Sequence, residues 1–186
     1  TAPGLTVVVR DAEGHDSLAM LLRGEIDVAV ADDYGRDAST DRDERLVSRP
    51  LYSEPFDVAL PVHHPLAEAT TVTLSDLADE TWVGAYPGNP CHEVVAVACA
   101  HVGVRPRFVH HSDDFRAVAA LVGARAGIAL IPRHALKGVE PPGIVVRPLT
   151  GVAPERRVHA AVRSGTEERP VVAALLDALD KVVQSS

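Results

Sequence analysis

The chain has 186 residues, enough for one large domain or two small lobes, and its 46% hydrophobic and 24% charged residues are the balance of a globular protein with a real core. A net charge of -8 argues against these residues alone gripping a phosphate backbone. No apolar run approaches the roughly 20 residues needed to span a bilayer, and the opening residues do not read as a signal peptide.

In chain order, residues 5–9 (LTVVV) are a β-branched run and predict a strand. Residues 11–17 (DAEGHDS) read as a loop ending in a helix cap, and residues 18–23 as a short helix stopped by Gly24. Residues 26–31 (IDVAVA) predict the next strand, with Asp32 and Asp33 leaving its carboxyl end, and residues 37–45 form a charge-rich connection. Residues 56–60 (FDVAL), apolar but for one charge, predict a buried strand. It ends at Pro61 because proline cannot donate to a ladder. Alternating strands and helices stand on both sides of it, so it reads as a crossover between two α/β lobes.

Past Pro65, residues 72–77 (VTLSDL) predict a short helix capped by Ser75, and residues 82–84 a strand opening into the turn-rich AYPGNP. Cys91, Val94, Val95, Ala98 and Val102 recur as the stripe of a half-buried helix. Residues 107–110 predict a strand, residues 111–114 (HSDD) a loop and N-cap, and Phe115, Val118, Ala119 and Val122 the core face of another helix. Residues 127–132 (GIALIP), 144–148 and 157–163 (RVHAAVR) predict three further strands. Pro170 opens the last helix, with Val171, Val172, Leu175, Leu176, Leu179 and Val183 inward. Strands alternating with helices imply a parallel-rich sheet in each lobe.

Four blocks in order, GEIDVAVADD (24–33), RPLYSEPFDVALPVHHPLA (49–67), LSDLADETWV (74–83) and AGIALIPRHAL (126–136), carry a family likeness. The sequence resembles the effector-binding domain of LysR-type transcriptional regulators from about residue 5 to 183. The resemblance implies an α/β, two-lobed fold similar to type 2 periplasmic binding proteins, with a small-molecule inducer held between the lobes. It divides the chain into a first lobe of 1–57 plus 156–186 and a second of 58–155. It further implies a cytoplasmic homodimer or homotetramer that meets DNA only through a helix-turn-helix domain with no counterpart here. No membrane partner, enzyme activity or cofactor is implied. Two departures stand out. The family's domain opens with a strand and helix absent from this sequence, so the chain is expected to begin at the second strand, residues 5–9. Where the family places a glycine two residues before Gly127, this chain has Arg125.

In open α/β sheets ligands gather outside the carboxyl ends of strands, where helix N-termini supply free N–H groups. Four loops qualify, and the family's inducer contacts fall in them: Gly14, His15, Asp32, Tyr86, Asn89, Cys91, His92 and Asp113 are the candidate ligand-binding residues. Any one of them also has an ordinary reading as a solvated loop or cap residue. The resemblance implies a small carboxylate, which helix N-termini suit, and Asp32, Asp33, Asp113 and Asp114 nearby favour a ligand that carries hydroxyls or an amine as well. The pairs His63-His64 and His110-His111 invite a metal, but neighbours on a strand point to opposite faces and no zinc-ligand spacing is present. Cys91 at a helix start suits a reactive thiol, yet Cys99 lies eight residues along the same helix, about 12 Å away at 1.5 Å per residue. A disulfide tolerates about 7 Å. No G-x-S-x-G elbow supports catalysis. The rival reading is a free-standing solute-binding protein of a transporter.

Overall fold

A computed structural model of the chain describes residues 6–33, 43–139 and 141–184. Leu5 and residues 37–42 of the expected connection lie outside them. The chain falls into two units, residues 1–53 with 157–186 and residues 54–156. It passes from one to the other at Ser53/Glu54 and at Arg156/Arg157.

In the first unit the elements are α1 (Gly14–Leu22), β1 (Ala29–Asp33), the first half of β2 (Leu46–Pro61), most of β7 (Glu155–Arg163) and α4 (Pro170–Gln184). β7 lies between β1 and β2, antiparallel to β1 with Ala29 opposite Ala161 and Asp32 opposite Val158. Its two faces are used separately, as the period-2 pleat dictates. Ala160 and Val162 pack with Val172, Leu176 and Leu179 of α4, while Ala161 packs with Leu18 and Leu21 of α1. Adjacent helical residues are about 100° apart at 3.6 per turn. Val171 therefore turns outward, 58% exposed, where the sequence suggested an inward side chain. Helix α1 starts four residues earlier than expected, at Gly14.

Over its described residues, 6–9, the strand expected at 5–9 is not formed: residues 6–13 adopt no regular structure, and Val8 and Val9 are 79% and 86% exposed. β-branched residues favour a strand only where an edge is offered to pair with. β1 has β7 on one side and no strand among the described residues on the other.

The second unit is built on the remainder of β2. Phe56, Val58, Ala59 and Leu60 are fully buried there because the strand is covered on both faces, and Asp57 between them is buried against the Arg133 guanidinium. β5 (Ala129–Pro132) and β6 (Ile144–Pro148) both pair with it antiparallel. β3 (Thr81–Gly84) and β4 (Arg107–His111) pair in parallel, and β3 meets the chain entering β5 through a parallel bridge, Trp82 opposite Ile128. The parallel-rich expectation is thus corrected. Among the described residues, parallel pairing is confined to β3–β4 and two isolated bridges. Element order along a chain does not fix which strands become neighbours. Helices α2 (Pro90–His101) and α3 (Phe115–Gly123) accompany β3 and β4, and α3 buries Val118, Ala119 and Val122 against Ala59, Val83, Ala129 and Ile131. The 3-10 helix Leu74–Leu77 is capped by Thr73, not Ser75. Thr73 Oγ1 accepts from the Asp76 N–H and the Asp76 carboxylate accepts from the Thr73 N–H. Ser75 lies inside this turn, so the cap falls to Thr73, the residue before it, whose pairing with Asp76 three positions on forms a capping box.

Three helices end alike. After α1, Gly24 and Glu25 donate to Leu21 O and Met20 O; after α2, Gly103 and Val104 donate to Ala100 O and Cys99 O; after α3, Arg125 and Ala126 donate to Val122 O and Leu121 O. This pattern needs a left-handed residue at its turn. Gly24 and Gly103 supply it at φ 75°, whereas Arg125 is forced to φ 64°. Arg125→Gly should therefore raise the unfolding free energy by about 1 kcal/mol, read as a higher urea midpoint at unchanged slope. A lower midpoint would contradict it.

Candidate functional site

Helices α2 and α3 both begin where a strand of the parallel β3–β4 pair ends. Asn89 caps α2 by accepting the Cys91 N–H at 2.8 Å, with Pro90 in the first turn. Asp114 caps α3 by accepting the Arg116 N–H at 2.8 Å. Because Gly84 lies opposite His111, the two loops leave the sheet at the same edge and the helix N-termini converge.

A shared hydrogen-bond set joins the loops. Asp113 Oδ1 accepts from the Tyr86 backbone N–H at 3.1 Å and from Asn89 Nδ2 at 3.0 Å. The Ala85 carbonyl takes two imidazoles, His92 Nδ1 at 3.0 Å and His111 Nδ1 at 3.1 Å. A carbonyl only accepts, so both Nδ1 atoms carry protons in this arrangement. Rings stack around them. Tyr86 lies on His111 with centroids 5.5 Å apart, Phe108 is 4.5 Å from His92, and Trp82 meets Phe108 edge-on at 5.9 Å. Gly84 is what admits the Phe108 ring, since a Cβ there would lie 2.5 Å from it. Beneath the loops Trp82, Ala85, Cys91, His92, Phe108 and Phe115 help line a cavity of about 10 Å³, near the space one water needs. Trp82 is fully buried, and its Nε1 has no hydrogen-bond partner among the described residues.

Five of the eight candidate residues meet here: Tyr86, Asn89, Cys91, His92 and Asp113. Cys91 is buried at the cavity wall, not on the open face. Gly14 and His15 are the first two residues of α1, so they belong to a helix where a loop was expected. Asp32 sits within β1 opposite Val158, not beyond the strand's end. These three belong to the first unit, and they are not in the constellation just described. The Ala85 carbonyl, Phe108 and His111 belong to the constellation beyond the eight candidates. A carbonyl has no side-chain signal, and a loop histidine beside a second histidine reads equally well as half of a metal pair.

Among the described residues no group of three or more His, Cys, Asp or Glu is arranged to hold a metal. His64 is a turn residue: its Nδ1 accepts the Leu66 N–H and its Nε2 faces Glu80 at 3.0 Å. Both cysteines are buried, and burial pushes the Cys99 thiol up to about 11, so it stays protonated at neutral pH. Peroxide treatment of the folded protein should yield no Cys91–Cys99 disulfide, since α2 would have to unwind. A linked peptide two hydrogens lighter, found by mass spectrometry under native conditions, would refute this.

Comparison with known proteins agrees with this picture. The profile of one family, the LysR substrate binding domain, matches residues 1–184. A hydrogen peroxide-inducible genes activator of Pectobacterium carotovorum is 25% identical over 185 residues, covering 99% of this chain and 59% of the relative. The chain thus spans about three fifths of that relative's length. Among solved structures, a reduced form of OxyR from N. meningitidis superposes with TM-score 0.77 at 23% identity, covering 100% of this chain and 82% of the other. The regulatory domain of Synechocystis CcmR in complex with 2-PG does so with TM-score 0.80 at 18% identity, covering 98% and 86%.

Proposed function

The chain belongs to the LysR substrate binding domain family, and from that premise we propose that it binds a small-molecule effector on the loops that open α2 and α3. The observation that carries this is the convergence of the Tyr86 N–H, the Asn89 amide, the His92 ring and the Asp113 carboxylate at two helix N-termini. Tyr86, Asn89, His92 and Asp113 are the proposed contacts, with Cys91 in the wall below. Gly14, His15 and Asp32, in the first unit, remain proposed ligand-binding residues. The whole protein is proposed to be a cytoplasmic transcriptional regulator, a homodimer or homotetramer that meets DNA through a helix-turn-helix domain outside these residues. The effector acts by binding one arrangement of the regulator more tightly than another, the only way a ligand shifts an equilibrium. Binding, not catalysis, is the proposed role of this domain. Membership of a regulator family weighs against a transporter's free-standing binding protein. Among the described residues no helix is long and apolar enough to cross a membrane.

A thermal-shift screen of small polar metabolites tests the proposal, followed by titration of the strongest hit. His92→Ala should weaken that hit by about 10- to 150-fold, the loss of 1.5–3 kcal/mol expected for one hydrogen bond to a charged group. Unchanged affinity would remove His92 from the site.

A further inference from the structure

Trp82 sits within β3, paired with Phe108 on one side and with Ile128 on the other. Its side chain is completely buried, and the indole Nε1–H has no acceptor among the described residues. A buried indole N–H usually has a partner, because on folding it gave up a hydrogen bond to water that must be replaced. The same residue lines the cavity of about 10 Å³ beneath the loops. That volume is at the lower limit for one water molecule and excludes any organic ligand. The wall is not wholly apolar either. His92 is part of it, and since Nδ1 donates to the Ala85 carbonyl, Nε2 is left as the ring's acceptor.

We propose that this cavity is a site for one buried water, which accepts the Trp82 Nε1–H and donates to His92. A cavity of this size stays dry when its lining is apolar throughout, whereas a donor and an acceptor in the wall give a water two of the partners it needs. The competing partner for the indole is the Phe108 ring, which meets it edge-on at 5.9 Å between centroids and 63° between planes. An N–H···π contact is weak beside a hydrogen bond to oxygen, and it would leave His92 Nε2 unserved. The water site is separate from the effector contacts proposed on the open loops, and it stands whether or not an effector binds there.

Trp82 is the one tryptophan of the chain, so a single indole N–H signal reports on the cavity, and Trp82→Phe identifies that signal. The test records water-selective NOE and rotating-frame NOE spectra of the 15N-labelled protein at that proton. A bound water gives cross peaks of opposite sign in the two experiments, and exchange with bulk water gives equal signs. The wild type should show the opposite-sign pair. Cys91→Ala, which removes a labile thiol proton from the wall, should keep it, and Val95→Ile, which adds a methyl group to the same lining, should abolish it. Cross peaks to the Phe108 ring with none to water would overturn the proposal. So would equal signs, loss of the pair in Cys91→Ala, or its survival in Val95→Ile. The wild-type spectra decide alone if Val95→Ile does not fold.

Discussion

Glu54→Ala is expected to cost about 3–5 kcal/mol of folding stability, the loss seen when one member of a buried ion pair is removed. Glu54 is 1% exposed, yet its carboxylate is fully engaged. Oε1 accepts from Arg156 Nε at 2.6 Å, and Oε2 accepts from the His134 backbone N–H at 2.6 Å. The Arg156 side chain is only 15% exposed, so removing the carboxylate leaves a guanidinium largely shielded from water that must be resolvated. Glu54 and Arg156 are also the two residues at which the chain enters and leaves the second unit, 102 positions apart in sequence. The pair holds those two strands together at that point. Glu54→Gln, which keeps the shape and an acceptor for His134, should cost clearly less. Urea denaturation of the three proteins checks this. Equal losses for alanine and glutamine would show that the charge is not what matters, and a loss below about 1 kcal/mol for alanine, the worth of an ordinary exposed pair, would refute the argument.

Gly127→Ala is the second large effect, about 2–6 kcal/mol from overpacking and backbone strain, each worth roughly 1–3 kcal/mol. A Cβ at this position would lie 2.5 Å from the Thr81 carbonyl oxygen and 3.0 Å from its carbon, both backbone atoms that have no rotamer to yield. Its φ of 152° is also one that side-chain-bearing residues rarely adopt. The close approach comes from paired 2.8 Å hydrogen bonds, Ile128 N–H to Thr81 O and Val83 N–H to Ile128 O. Those bonds hold β3 against β5, and β3 carries the loop of Tyr86 and Asn89. Binding at the proposed site should therefore weaken along with stability. A variant with wild-type melting would show that β3 moves aside without cost. Gly88 is the comparison position. A Cβ there would meet nothing within 4 Å, and only its φ of 91° opposes a side chain, so alanine should cost much less than at Gly127.

By itself the sequence determined the elements with strong local signatures. The α3 stripe of Val118, Ala119 and Val122, the buried run at Phe56 to Leu60, the 144–148 strand and the stop at Gly24 all lie where periodicity and turn chemistry placed them. The meeting of Asn89, His92 and Asp113 was legible because strand ends and helix starts were both readable, and the loops between them gather at one edge of the sheet. Tertiary structure alone decided pairing. The β-branched run at 6–9 stays outside the sheet because propensity supplies no partner edge, and β5 and β6 run antiparallel to β2 because direction depends on the path taken between them. Long-range polar pairing was equally hidden. Nothing local marks Glu54 for Arg156, or one Ala85 carbonyl for two imidazoles, because each bond joins positions that only the folded chain brings within about 3 Å of one another.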